Sequence, residues 1–366
     1  MAGVQDWTWS EKYPGFAELR AYFEHVEKIF DIKKDVAFAT SVTGAKFDKA
    51  SSKWVIETED GRSANARYFL LATGFAAKRH FPDWVGMDKF QGEIHHSSFW
   101  PNAGVNVEGK HIAVVGTGST GVQIAQETAK TAASVTVFQR TPNLALPMQQ
   151  GKLTEEEQQK RKSKYPEIYK NRMTTFAGFQ YDFRDRNTFD DTPEEREAFH
   201  EKLFENGGFE FWLANYKDYL FDKKANREAY DFWARKTRTR ILDPVKRDIL
   251  APVEPPHAFG TKRLSLEQNY YEILDQPQNV VDIRKTPIIE VTETGIKTND
   301  GKHRAFDVIA LATGFDSVSG GMKNMGLKDI DGVELAEKWK NGIWSYLGMS
   351  LAGYPCVALP YQPLWY

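Results

Sequence analysis

Three glycines, Gly116, Gly118 and Gly121, stand as GxGxxG between an apolar run, His111-Ile-Ala-Val-Val115, and a helix-compatible stretch, residues 121–132. A glycine triplet alone is weak evidence; a strand before it and a helix after it give it meaning. Glycines there permit a tight turn and bring backbone N–H groups close to a diphosphate, which the helix N-terminus attracts. Thr117, Ser119, Thr120 and Val122 complete the candidate cradle. The next apolar run, Ser134-Val-Thr-Val-Phe138, is a second strand, so the segment reads as strand, helix, strand. An NAD site would carry an acidic residue about twenty positions past the glycines, for the ribose 2′-hydroxyl. Here Arg140 follows the second strand, with Thr141 beside it, and a cation suits a 2′-phosphate. The spacing predicts NADPH. A second basic pair, Lys262-Arg263, lies in Gly260-Thr-Lys-Arg. By residue type alone it is a dibasic loop, and such pairs are ordinarily solvated.

The elements that must position these residues are partly duplicated. Thr58-Glu-Asp-Gly61 leads to Ala72-Thr-Gly-Phe75, and Thr298-Asn-Asp-Gly301 leads at the same spacing to Ala312-Thr-Gly-Phe315. In each, Asp-Gly marks a tight hairpin turn and an apolar run ends in the same tetrapeptide, which predicts two copies of one structural unit. Between the copies, residues from about 150 to 250 turn charged and helical. Thr154 with Glu157, and Thr192-Pro193 with Glu195, read as capping boxes. Phe209, Phe211, Trp212, Tyr216 and Tyr219 recur at helical spacing as a packing stripe, and Arg235, Lys236, Arg238 and Arg240 read as a solvated helix face.

Composition narrows the function classes. With 48 Lys+Arg against 50 Asp+Glu, the net charge of −2 argues against a nucleic-acid role. The single cysteine, Cys356, excludes an intramolecular disulfide, and the eight histidines form no metal motif. The start of the chain lacks a basic, apolar signal, so a cytoplasmic location is expected. The uncharged stretch 341–366 contains Pro355, Pro360 and Pro363, which break a helix; its apolar residues predict self-association rather than membrane insertion.

Phe90, Gly92, His96, Trp100 and Pro101 spell FxGxxxHxxxWP just before the first strand. This pattern resembles the fingerprint of Baeyer–Villiger monooxygenases, and the resemblance covers essentially the whole chain, nearest the phenylacetone and steroid monooxygenase branch. It implies an α/β fold of two dinucleotide-binding, Rossmann-like domains with a helical insertion. The implied division is a FAD-domain remnant at 1–85 and 316–366, and an NADPH domain at 86–315 with its insertion at about 150–250. Family members carry a further glycine motif near their N-terminus and continue past Gly353-Tyr-Pro355, so the FAD domain is expected to be incomplete, trimmed at both ends.

The resemblance also implies an activity. NADPH and FAD would be used to insert one oxygen of O₂ beside a ketone carbonyl, giving an ester or lactone. Arg263 would be catalytic, stabilising developing negative charge on oxygen. Arg140, Thr141 and Lys262 would hold NADPH with the glycine turn; His96 and Trp100 would couple the domains, and Val42 would contact cofactor. The alternative is a truncated, catalytically inactive NADPH-binding homologue or interaction module. A flavin-free NADPH reductase ranks below both.

Overall fold

The computed structural model describes residues 6–74, 76–317 and 319–358. They form two compact units: one of the residues up to Asp31 with Asp83–Ala312, the other of Ile32–Pro82 with the residues from Thr313 on. The sequence reading grouped residues 1–85 together. The structure instead gathers the first stretch into the larger unit, because Trp9 exchanges backbone hydrogen bonds with the Gln158 side chain (2.6 and 2.8 Å) and Tyr13 does the same with Gln150.

The larger unit is built on a five-stranded parallel sheet. Its strands are β1 (Glu93–His96), β2 (His111–Val115), β3 (Ser134–Gln139), β4 (Val280–Asp282) and β5 (Val308–Leu311), in the spatial order β4-β3-β2-β5-β1. Ile112 to Val115 and Val308 to Leu311 are buried on both faces, as continuous apolar runs in a parallel sheet should be. Helix α1 (Ser119–Thr128) returns the chain from β2 to β3, packing Gly121, Val122 and Ala125 inward. In register, Val115 lies opposite both Phe138 and Leu311, and Leu311 lies opposite His96. One edge of the sheet therefore collects the residues that follow β1, β2, β3 and β5. In open α/β sheets that carboxyl edge is where ligands bind.

The helical insertion forms as its caps predict. Thr154 and Thr192 both close capping boxes, with Glu157 and Glu195, and Pro193 opens helix α2 (Pro193–Asn206). Helix α3 (Lys223–Arg238) buries Ala229, Tyr230 and Trp233 against Phe211, Tyr219 and Phe259 in one core with β2 and α1. The basic run is not a freely solvated face. Arg235 pairs with Glu197, Lys236 with Glu201 and Arg238 with Asp248, and Arg240 meets Glu267 and Glu272. Burial raises the Glu267 carboxyl above the ordinary range despite Arg240 beside it.

The duplication is structural. Val42–Asp48, Lys53–Thr58 and Ser63–Ala66 form a three-stranded antiparallel sheet in the smaller unit; Ile288–Thr292, Gly295–Thr298 and His303–Ala305 form its counterpart in the larger one. At both turns the threonine hydroxyl donates to the aspartate carboxylate at 2.6 Å, and the glycine (Gly61, Gly301) has φ near +80°. Phe75, the last residue of the first tetrapeptide, lies outside the described residues. In the smaller unit Trp54 stacks on Tyr354 and donates to the Pro355 carbonyl at 2.7 Å. Of the uncharged stretch, Leu351, Tyr354 and Val357 join that core, while Trp344, Tyr346, Leu347 and Met349 are exposed. Residues 359–366 lie outside the described residues. Among the described residues, no helix is long and apolar enough to cross a membrane.

Candidate dinucleotide site

The glycine turn fits a diphosphate for reasons that differ from glycine to glycine. Gly116 has φ +107°, and a Cβ there would come within 2.4 Å of the Ala312 carbonyl oxygen; at Gly121 it would come within 2.1 Å of the Gly116 oxygen. These two glycines let α1 press onto β2 and β5. Ala312, which opens the second Ala-Thr-Gly-Phe segment, is thereby the floor of the turn. Gly118, the residue capping α1, instead faces open space, with no atom within 4 Å of a Cβ. Gly118, Ser119 and Thr120 are exposed at the helix N-terminus, where backbone N–H groups lack intrahelical partners. A cradle with two closed sides and one open side suits a phosphorylated ligand.

The cations expected to read the 2′-phosphate lie on segments tied to this turn by hydrogen bonds. Arg140 follows β3 and is exposed, as are Lys262 and Arg263, and none of the three has a hydrogen bond or ion pair within the described residues. The paired cations of the helical insertion make a clear contrast. Hydrogen bonds connect the segments that carry them: Thr117 Oγ1 donates to the Thr141 carbonyl at 2.5 Å, and Leu146 N–H donates to the Ser265 carbonyl at 2.8 Å. Gly260 has φ +80° and packs under Trp212, whose indole N–H donates to its carbonyl at 3.1 Å. Asn226 on α3 clasps Phe259 through both backbone groups, at 2.8 and 2.9 Å. The helical insertion thus holds the Lys262–Arg263 loop from behind.

The fingerprint residues stand at the edge strand. His96 ends β1, is buried, and its ring nitrogen Nδ1 lies 2.9 Å from Ser98 Oγ while accepting from the Ser98 N–H, capping the turn Ser97–Phe99. Trp100 follows, its ring 5.7 Å from that of His95 and packed on the main core. Val42 belongs to the smaller unit, where it opens the strand Val42–Asp48. Sequence reasoning did not single out Asn143, Ser265 or Asn226; the one cue was a polar Asn143 in the otherwise apolar run 142–147.

A family model described as pyridine nucleotide-disulphide oxidoreductase matches residues 6–177. The chain is 48% identical over 352 residues to the FAD-binding monooxygenase acrE of Aspergillus aculeatus, and 42% identical over 360 residues to cyclopentanone 1,2-monooxygenase of a Comamonas species. Those matches cover 96% and 98% of this chain but 59% and 65% of the relatives. Among solved structures, OTEMO in complex with FAD and NADP superposes with a TM-score of 0.93 at 36% identity, over 98% of this chain and 68% of that one. The chain belongs to the Baeyer–Villiger family of flavin-dependent monooxygenases. It spans about three-fifths to two-thirds of the length of these family members. Of the family's nucleotides, NADPH can be tested against the residues present. NADPH fits, on the open Gly118 face and the unpaired cations. Among the described residues, 116–121 is the one glycine turn joining a parallel strand to a helix, and it is the turn that NADPH fits.

Proposed function

We propose that the chain serves an NADPH- and FAD-dependent monooxygenation of Baeyer–Villiger type, in which one oxygen of O₂ enters beside a ketone carbonyl to give an ester or lactone. The observation that carries the reading is the open glycine turn at Gly118, with Arg140 and Lys262, unpaired among the described residues, on segments hydrogen-bonded to it. Backbone N–H groups of Ser119 and Thr120 receive the NADPH diphosphate, while Arg140, Thr141 and Lys262 receive the 2′-phosphate. FAD, when bound, supplies the chemistry that passes electrons from NADPH to O₂. Arg263 is an exposed cation on a loop braced from behind, suited to stabilise negative charge developing on a ketone oxygen. His96 and Trp100 act from the edge strand of the larger unit, and Val42, in the smaller unit, belongs to the same cofactor-binding proposal.

The labels NADPH-binding for the larger unit and FAD-domain remnant for the smaller belong to the same proposal, as does a cytoplasmic location. The test supplies the 366-residue chain with FAD, NADPH, O₂ and cyclopentanone, and follows lactone by gas chromatography against NADPH consumed. Lactone matching the NADPH consumed supports the reading. NADPH binding with no turnover favours the inactive homologue, and consumption without oxygenated product favours a reductase.

A further inference from the structure

We propose that Asn143 is a positioning residue for 2′-phosphate selectivity, acting through Ser265 on the loop that carries Lys262. The inference rests on the reading of the site as one for NADPH. Asn143 stands three residues past Arg140, and Ser265 three residues past Lys262. The Asn143 amide spends its donors across segments: Nδ2 donates to the Thr117 carbonyl of the glycine turn at 2.7 Å and to Ser265 Oγ at 2.8 Å. Ser265 Oγ donates in turn to Ser119 Oγ at the start of α1, at 3.1 Å. The backbone of Asn143 is fixed by Tyr271, whose hydroxyl donates to its carbonyl at 3.1 Å.

One amide therefore joins the three segments that the nucleotide must bridge: the glycine turn, the turn after β3, and the loop of the second cation. Its remaining atom, Oδ1, is buried without a partner among the described residues. A buried acceptor left unmade is costly, and a site retaining only packing value would be better filled by an apolar residue. The donor pair is what an apolar residue cannot supply. A phosphate shared between two flexible cations needs both held at fixed separation, since long side chains lose binding energy to ordering.

The experiment measures dissociation constants of 2′,5′-ADP and 5′-AMP by titration calorimetry on the 366-residue chain, the ratio reporting selectivity. Asn143→Leu removes both donors without adding charge, and Ser265→Ala breaks the same link from the other side. Each is expected to cut the ratio about tenfold, the worth of roughly one net hydrogen bond. Ser265→Thr, which keeps the hydroxyl, retains the ratio. In a Lys262→Ala background Asn143→Leu should change the ratio less than about twofold, because the residues act as a unit. A merely structural role would lower the melting temperature and leave the ratio intact. If Asn143→Leu does not fold, Ser265→Ala and Ser265→Thr decide. A selective wild type whose selectivity falls with Lys262→Ala but survives Ser265→Ala overturns this inference alone. A wild type without selectivity overturns the reading beneath it as well.

Discussion

Replacing Gly118 by alanine adds one methyl group to a backbone that any residue can adopt, φ −67° and ψ 179°, in a place where nothing lies within 4 Å. Alanine is a poorer helix cap than glycine by about 0.5–1 kcal/mol, and its stiffer unfolded chain returns about as much. The melting temperature should therefore stay within about 2 °C of wild type. The methyl group occupies the open side of the turn, where the diphosphate must approach the backbone. Binding of NADP⁺ should weaken by roughly 10- to 100-fold, or about 1.4–2.8 kcal/mol. Gly121→Ala is the opposite case. Its Cβ would lie 2.1 Å from the Gly116 carbonyl oxygen and 3.6 Å from the Ala312 Cβ, so backbone must move. Overpacking of this kind costs about 1–3 kcal/mol, which for a domain of this size lowers the melting temperature by roughly 2–12 °C. Differential scanning fluorimetry and NADP⁺ titration on both variants separate the two effects. Gly118→Ala binding NADP⁺ as tightly as wild type would refute the assignment of this turn as the diphosphate cradle.

Arg140→Ala combined with Lys262→Ala should weaken NADPH at least tenfold more than NADH, since two charge-assisted contacts to one phosphate disappear; equal losses would sink the 2′-phosphate assignment. Burial holds the His200 imidazole neutral, its pKa lowered from 6.5 to about 4, with Asn215 3.1 Å from Nε2. Unfolding then takes up a proton between those values, so stability is full above pH 6.5 and falls by about 3 kcal/mol as pH drops toward 4. Urea midpoints measured across that window should slope less in His200→Gln than in wild type; parallel slopes would exclude this histidine as the source.

What could be read in the sequence was what is decided locally. The glycine turn, the two Asp-Gly hairpins and the Thr154 and Thr192 capping boxes each depend on residues within a few positions of one another, and each forms. Arg140 could be proposed from sequence because its distance from the glycines is set by one helix and one strand. The rest of the site is made by long-range partners. Asn143 meets Ser265 across 122 positions and Ser265 meets Ser119 across 146, and nothing in the residue types announces either contact. Lys262 and Arg263 show the difference most clearly. As sequence they match Lys236 and Arg235, four cations on polar stretches with no local feature to rank them. The fold separates them by what it places opposite: Glu201 and Glu197 face the second pair, whereas no carboxylate among the described residues pairs with the first. Unpaired cations on a braced loop retain their charge for an incoming anion, and the groups the fold sets opposite them, not a motif, distinguish them from cations already neutralised.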